Sequence, residues 1–421
     1  MRLAGCLPRS TAARVGGAAV AMVLAAELAV WLLSTDDTGP KPDPVSESAY
    51  FTPQQLERAD DFRGGQRWLL LLGLAVEGGV LVAVVAGRPA FVRRALRSLA
   101  ARPLRGAALA GVSVAALTQL ALLPVALASH ERAVDAGIST QSLSSWLWDY
   151  ARSAAITIAI TAAGAALLLA LVRRFPRRWW MPGALAVTAL GAFFVWVAPI
   201  VLSPIFNRFE TLPPSSRARS EVLELARRAG IEVDDVYKVD ASRRVRTLNA
   251  YVDGIGSTRR VVLYDNLLRR AERPELRSVV AHELGHVAHD DVPRGIAFVA
   301  LVAPLGLVFA RELALALTRR TGVDAASPAA IPAYLLALSL AAFVLNVPGN
   351  QLSRKVEASA DAFALELTGD PQALVDLQVQ LARTNLSDPD PPDAYSFVFG
   401  THPTTVQRIG AALAFEREAG R

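Results

Sequence analysis

The sequence predicts a mainly α-helical membrane protein with about seven transmembrane helices and one small α+β domain. Three observations lead to this fold class. Of the 421 residues, 52% are hydrophobic and only 19% are charged, whereas about a quarter of a typical soluble domain is charged. Apolar stretches long enough to cross a bilayer recur along the chain. Two polar stretches in its second half carry the helix and strand patterns of a globular domain.

A transmembrane helix needs roughly 20 mostly apolar residues. Seven segments meet this length: residues 15–34, 68–86, 106–128, 154–172, 182–202, 295–317 and 329–347. The sixth is the weakest candidate because Arg311 and Glu312 interrupt it. The last two segments could also form a buried helical hairpin inside a soluble domain, so that alternative stays open at this point.

The order of these segments divides the chain into four units. Residues 1–202 form an N-terminal membrane domain with five spans, and residues 295–349 form a two-span hairpin. The hairpin separates two globular parts, residues 203–294 and residues 350–421. We expect these two parts to fold together as one small α+β domain.

Local signals within the globular parts predict their elements. Ser215 or Ser216 can cap an amphipathic helix that reaches Ala229 and ends at Gly230. Strand-like runs follow at residues 236–239, 248–252 and 261–264, and a helix begins near Pro274. Asp370 and Pro371 form a cap and first-turn pair that starts another helix.

The charges of the loops predict an orientation in the membrane. Arginines cluster after the second, fourth and sixth spans, at Arg88, Arg93, Arg94, Arg97, Arg102 and Arg105, at Arg173, Arg174, Arg177 and Arg178, and at Arg319 and Arg320. The loop after the first span instead carries Asp36, Asp37, Asp60 and Asp61. Because positive loops remain in the cytoplasm, the N-terminus is expected there, with the globular parts outside a bacterial cell membrane. The basic residues form no long patch, so the net charge of +6 predicts a lipid bilayer and no nucleic acid as partner.

One motif carries specific chemistry. His282-Glu283-Leu284-Gly285-His286 places two histidines at i and i+4, on one face of a helix. Two imidazoles at that spacing can bind zinc, and the glutamate between them can accept a proton from a water that the metal activates. The motif therefore predicts metal-assisted hydrolysis of a peptide bond.

Catalytic zinc usually has three protein ligands and one open position. His289 lies one turn further along the same helix, too far along the axis, and is expected to support the site or lie on the surface. The metzincin pattern needs glycine at position 289 and histidine at 292, where this chain has His289 and Val292. Glu357 is the better candidate, because Glu357 and Asp361 share a helix face and one carboxylate can bind zinc while the other orients a histidine.

These motifs resemble a family, the gluzincins that include the type I CAAX prenyl endopeptidases and the bacterial heat-shock membrane proteases. The matching segments are His282-Glu283-Leu284-Gly285-His286, Glu357-Ala358-Ser359-Ala360-Asp361-Ala362-Phe363-Ala364, Thr401-His402-Pro403, Phe206-Asn207-Arg208-Phe209 and Asn249-Ala250-Tyr251. Five spans before the zinc motif and two after it resemble the prenyl endopeptidase branch. The resemblance implies a zincin-like catalytic domain split by the last two spans.

The resemblance also implies roles for individual residues. One zinc ion per chain is held by His282, His286 and Glu357, with Glu283 as general base and Asp361 behind the ligands. His402 steadies the oxyanion, and the edge strand Asn249-Ala250-Tyr251 binds the backbone of a peptide or protein substrate, which can be lipidated or membrane-embedded. Arg408 either pairs with a carboxylate near the site or caps the terminal helix. Glu77, inside the second span, receives no role.

Three functions are compatible with these features. The first is a zinc metalloendopeptidase like the CAAX prenyl proteases. The second is a protease for quality control of misfolded membrane proteins. The third is a non-catalytic, zinc-binding membrane scaffold, against which Glu283 argues because a scaffold needs no base beside the metal.

Overall fold

The first five long helices form the N-terminal membrane region. The computed structural model describes residues 9–35, 38–87, 102–254 and 259–420. The helices of this region are α1 (Arg9–Leu33), α2 (Pro53–Gly87), α3 (Pro103–Asp135), α4 (Leu143–Arg174) and α5 (Trp180–Val197), followed by a π-helical segment, Ala198–Leu202. The basic positions Arg88, Arg93, Arg94 and Arg97 and the acidic pair Asp36 and Asp37, on which the predicted orientation partly depends, lie outside the described residues.

The first globular part follows directly. Its elements are α6 (Ser203–Phe206), β1 (Phe209–Thr211), α7 (Arg217–Arg228), β2 (Asp235–Val239), β3 (Ala250–Asp253), β4 (Arg260–Tyr264), α8 (Asp265–Arg270) and α9 (Arg273–Ala288). Ser216 caps α7, since its hydroxyl accepts from the Arg219 amide. The sequence predicted the other three strands within two residues at each end and missed β1, whose three residues are too few to show an alternating pattern.

The remaining helices complete the chain. They are α10 (Asp291–Thr321), α11 (Ile331–Thr368), α12 (Pro371–Asn385), α13 (Asp393–Phe399) and α14 (Thr405–Glu418). Seven helices in the described part of the chain are long and apolar enough to cross a membrane, five before α9 and two after it. The predicted fold class is thus confirmed. However, α11 runs without a break across the predicted boundary between residues 349 and 350, so a single helix spans the membrane and carries Glu357.

The sheet has the strand order β1-β2-β4-β3. Strands β2 and β4 are parallel, and the other two pairs are antiparallel, with Tyr251 opposite Val262 in the β3–β4 pair. Strand β3 therefore lies at an edge of the sheet, with β4 as its only neighbour among the described strands. It packs against α9, the helix that carries the zinc motif.

One hydrophobic core joins the two globular parts. Val261 from the sheet, Leu284 from α9, Leu365 from α11, Leu374 from α12 and Ile409 from α14 belong to the same cluster of buried side chains. Burial of apolar area is the main favourable term in folding. The parts that the membrane hairpin separates in sequence are thus held together by a shared core.

Contacts between loops define the two sides of the bundle. On the side of the globular domain, the segment between α1 and α2 contacts α14 through a bond from the Asp43 amide to the Gly410 carbonyl, and Ser139 after α3 bridges to Val245. On the opposite side, Arg173 at the end of α4 donates to the carbonyl of Ala326 between α10 and α11. The arginine-rich loops after the fourth and sixth spans therefore face away from the globular domain.

Candidate metal centre

Helix α9 presents the two histidines of the motif to one neighbour. The helix begins at a reciprocal capping box, in which Glu275 accepts from the Glu272 amide at 2.7 Å and satisfies a donor that has no partner inside the helix. The buried Leu284 faces the core, and His282 and His286 lie one turn apart on the side that faces α11. Their ring centroids are 4.8 Å apart and the rings are nearly perpendicular, at 86°.

Gly285 lets α9 approach α11 closely. A Cβ atom at this position would lie 3.0 Å from the Cα of Ala360 and 3.2 Å from its carbonyl oxygen. Both distances are shorter than an ordinary van der Waals contact of about 3.5–4.0 Å. Only a residue without a Cβ fits at the crossing, and the crossing brings the third acidic side chain up to the histidines.

Glu357 completes a group of three potential metal ligands. Its carboxylate lies 3.2 Å from the Nε2 atom of His282 and 3.7 Å from that of His286. One ligand atom from each of the three residues can be chosen so that all lie within 4.8 Å of one another, and no other such group of histidine, cysteine or acidic residues occurs within the described ranges. The structure therefore brings together the three residues that the sequence assigned to zinc.

The second nitrogen of His282 is held by an ion pair. Its Nδ1 atom donates to Asp361 at 2.8 Å, and Arg408 binds the same carboxylate through two nitrogens, at 2.5 and 2.7 Å. Asp361 is 2% exposed. A carboxylate in this place fixes the tautomer of the imidazole and leaves Nε2 facing the ligand group. Of the two roles considered for Arg408, pairing with a carboxylate near the site is the one that its contacts match.

His286 has an equivalent partner that sequence reasoning missed. Its Nδ1 atom donates to Asp291 at 2.9 Å, and Arg294 holds the other oxygen of that carboxylate at 2.6 Å. Asp290 adopts a left-handed conformation, with φ of 53°, which aspartate tolerates better than most residues. This turn ends α9 and starts α10 with Asp291 beneath His286. The adjacent acidic pair just after the motif is the signal that could have revealed it.

The electrostatics of the group favour a bound cation. Burial alone lowers the pKa of His282, but the hydrogen bond to Asp361 and the nearby carboxylate of Glu357 outweigh it and raise the pKa to about 10. Burial raises the pKa of Glu283, while the two neighbouring imidazoles lower it in part. The field that would hold a proton on His282 would hold a metal cation equally.

The chemistry of the donors fits zinc. Two imidazoles and one carboxylate form the donor set of several catalytic zinc sites. The Oε2 atom of Glu357 is buried and has no hydrogen bond of acceptable geometry, even though His282 lies close to it. A buried carboxylate oxygen without a partner is costly, and a metal ion at this point would satisfy it.

His402 approaches the same group from α14's side. Its Nε2 atom lies 3.3 Å from Glu357, and its Nδ1 atom is 2.8 Å from the Thr401 hydroxyl. Its side chain is 54% exposed, so one face remains open to an incoming molecule. His289, by contrast, lies apart from the ligand group, where it contacts Ser359 at 2.9 Å and packs edge-on against Phe363.

Asn249, Ala250 and Tyr251 lie at the free edge of the sheet. Tyr264 donates its amide to the Asn249 carbonyl, so these two residues form a hydrogen-bonded pair. Such pairs alternate along an antiparallel ladder. The backbone N–H and C=O groups of Tyr251 therefore also face β4, whereas those of Ala250 and Val252 point away from it. Burial raises the pKa of the Tyr251 hydroxyl well above its usual range.

Two family models match the chain. The model for peptidase family M48 matches residues 214–416, and the model for the CAAX prenyl protease N-terminal region, described as five membrane helices, matches residues 68–208. The matches meet where the membrane region ends and the globular domain begins, and the first contains all ligand candidates.

Relatives span most of the chain. A metalloprotease of Bacillus subtilis, YhfN, described as uncharacterized, is 29% identical over 379 residues, 88% of each chain. The CAAX prenyl protease 1 of Saccharomyces cerevisiae is 28% identical over 319 residues, 69% of this chain and 68% of that one. The crystal structure of S. mikatae Ste24p has the same fold, with a TM-score of 0.72, 18% identity and coverage of 97% of this chain and all of the other. The chain is an integral multi-pass membrane protein that belongs to peptidase family M48, in the CAAX prenyl protease-like branch.

Proposed function

We propose that this protein is a membrane-embedded zinc endopeptidase in which His282, His286 and Glu357 hold one zinc ion. The observation that carries the proposal is the convergence of the three ligand atoms within 4.8 Å, around a buried carboxylate oxygen without an aligned partner. When bound, zinc would lower the pKa of a water and polarise the carbonyl of the scissile bond.

Glu283 is the general base in this proposal. It lies between the two ligands on α9, and its burial raises its pKa, which strengthens it as a proton acceptor at neutral pH. It takes the proton from the attacking water and passes it to the leaving amine. Asp361 and Asp291 keep the two imidazoles in the tautomer that presents Nε2 to the metal.

His402 stabilises the charge that develops on the substrate. The Thr401 hydroxyl lies 2.8 Å from Nδ1, and donation from this hydroxyl would leave the ring proton on Nε2, which faces the ligand group. An N–H at this position can donate to the carbonyl oxygen as it gains negative charge, a contribution that is typically among the largest in such reactions.

The substrate binds in extended form along β3. The outward backbone groups of Val252 and the outward carbonyl of Ala250 can pair with a peptide as an additional strand, so that main-chain bonds supply affinity. Strand β3 packs directly on α9, and this contact supports a substrate strand that lies near the metal-binding residues. Asn249 and Tyr251 border this edge and complete the peptide-binding segment.

The substrate class we propose is a protein with a lipidated or membrane-embedded C-terminal end. Support comes from the match of residues 68–208 to the model for the CAAX prenyl protease N-terminal region and from the relative named CAAX prenyl protease 1 in S. cerevisiae. Cleavage of a prenylated C-terminal peptide should be compared with cleavage of an unfolded membrane protein at equal enzyme concentration. Preference for the unfolded protein would contradict this substrate class and would favour a protease for quality control of misfolded membrane proteins.

The test of the chemistry is Glu283→Gln in the full chain, purified in detergent with zinc. Loss of the base should lower cleavage by at least roughly 10²-fold, with the zinc content kept at one per chain. The exposed Glu366 on α11 provides the control, since Glu366→Gln makes the same change away from the site. Cleavage at the parent rate by Glu283→Gln would refute the mechanism. If the cleavage were also independent of zinc, the result would favour a zinc-binding scaffold.

A further inference from the structure

The loop that carries His402 is attached to α11 by side chains on both sides. The loop runs from Gly400 at the end of α13 to Thr404 at the start of α14. Within the described part of the chain, the His402 side chain makes one hydrogen bond, with the adjacent Thr401. Its position relative to Glu357 therefore depends on what holds the loop.

Arg354 holds the loop on the side of α13. One guanidinium nitrogen, Nη1, donates to the carbonyls of Ser396 and Gly400, at 3.0 and 2.5 Å. Asn350, one turn earlier on α11, donates to the Val398 carbonyl at 2.7 Å. Carbonyls at a helix C-terminus lack partners within the helix, and a cation is favourable there. The two side chains thus fix the end of α13 to α11.

Arg408 holds the loop on the side of α14, through Asp361. Arg354, Glu357 and Asp361 lie at intervals of three and four residues, so they share one face of α11. The two attachments flank Glu357, one turn before it and one turn after it. Helix α11 therefore fixes the position of Glu357 and also the distance between Glu357 and His402.

We propose that Arg354 is a positioning residue, which keeps His402 at the metal site by bonding the end of α13. The inference rests on the proposed function, because His402 must act on the substrate for its position to affect the rate. We assign Arg354 no role in metal binding, since its Nη1 atom bonds the backbone carbonyls of Ser396 and Gly400. Its loss should consequently lower the rate of the chemical step and leave zinc affinity unchanged.

The test is a double-mutant cycle between Arg354→Gln and His402→Ala, with kcat, KM and zinc affinity measured for each protein. We expect His402→Ala to lower kcat by roughly 10²–10³-fold and Arg354→Gln by roughly 10-fold or more, with KM and zinc affinity within about twofold of the parent. In the His402→Ala background, Arg354→Gln should lower kcat by less than about threefold, because the residue acts through His402. Arg354→Lys should recover part of the rate, since an ammonium can reach one carbonyl.

The adjacent Lys355 supplies the matched control. It is exposed on the same helix, and Lys355→Gln removes the same charge without touching the loop, so its kcat should equal that of the parent. If Arg354→Gln does not fold, Asn350→Ala takes its place in the double-mutant cycle with His402→Ala and is judged by the same criterion. Equal losses in the two backgrounds, or a loss of zinc affinity that accounts for the lower rate, would overturn the positioning role. Such results would leave the proposed function intact. That function is tested separately, by the activity of Glu283→Gln.

Discussion

The closest approach of the two site helices offers a sensitive test of the metal centre. In Gly285→Ala, the new Cβ atom would lie 3.0 Å from the Ala360 Cα, where carbon atoms normally stay about 3.5–4.0 Å apart. The helices must therefore separate by about 0.5–1 Å. Zinc–ligand distances are constrained to about 0.2 Å, so Glu357 would no longer reach the ion in the geometry set by the two histidines.

The expected outcome separates metal binding from folding. Overpacking costs about 1–3 kcal/mol, whereas replacing glycine by alanine inside a helix gains up to about 1 kcal/mol. The zinc-free protein should therefore lose at most about 3 kcal/mol of unfolding free energy. Zinc affinity should fall by at least about tenfold, which corresponds to about 1.4 kcal/mol. Competition with a chromogenic zinc chelator measures the affinity, and thermal melts of the zinc-free protein measure the stability.

The control for this substitution is Gly295→Ala, four residues into α10. Among the described residues, no heavy atom outside the adjoining helix backbone lies within 4 Å of the position that a Cβ would take at Gly295. Alanine should therefore leave zinc affinity unchanged and should not lower stability. If Gly285→Ala binds zinc as tightly as the parent does, the helix crossing does not set the ligand geometry, and the packing argument is wrong.

The carboxylates behind the histidines and the orientation of the chain give two further predictions. Asp291→Asn should weaken zinc binding about 10–100-fold with little effect on the melting of the zinc-free protein. Asp361→Asn should also destabilise that protein by about 3 kcal/mol, because the largely buried Arg408 loses its ionic partner. Equal melting temperatures for the two variants would contradict this difference. For orientation, with the one native cysteine replaced by serine, Ser215→Cys in the globular domain should react with a membrane-impermeant maleimide in intact bacterial cells. Arg177→Cys, after the fourth span, should react only in permeabilised cells, and the reverse pattern would place the globular domain in the cytoplasm.

The sequence alone determined the elements whose signals are local. Length and apolar composition define a membrane helix, so all seven spans were found, including the one interrupted by Arg311 and Glu312. Spacing along one helix likewise predicted His282, Glu283 and His286 as site residues. Short signals sufficed for Asp370 as a cap and for Ser215 or Ser216 as another, of which Ser216 is the one observed, because a cap depends on residues three positions away.

Only the tertiary structure decided what depends on contacts between distant segments. Strand β1 has too few residues for a pattern and exists because β2 pairs with it. Asp291 supports His286 because Asp290 turns the chain between two helices, and Arg354 meets Ser396 across 42 residues. The sequence supplied the ligand types, but their convergence results from the crossing of α9 and α11 at Gly285, since packing at a helix crossing is determined by both surfaces together.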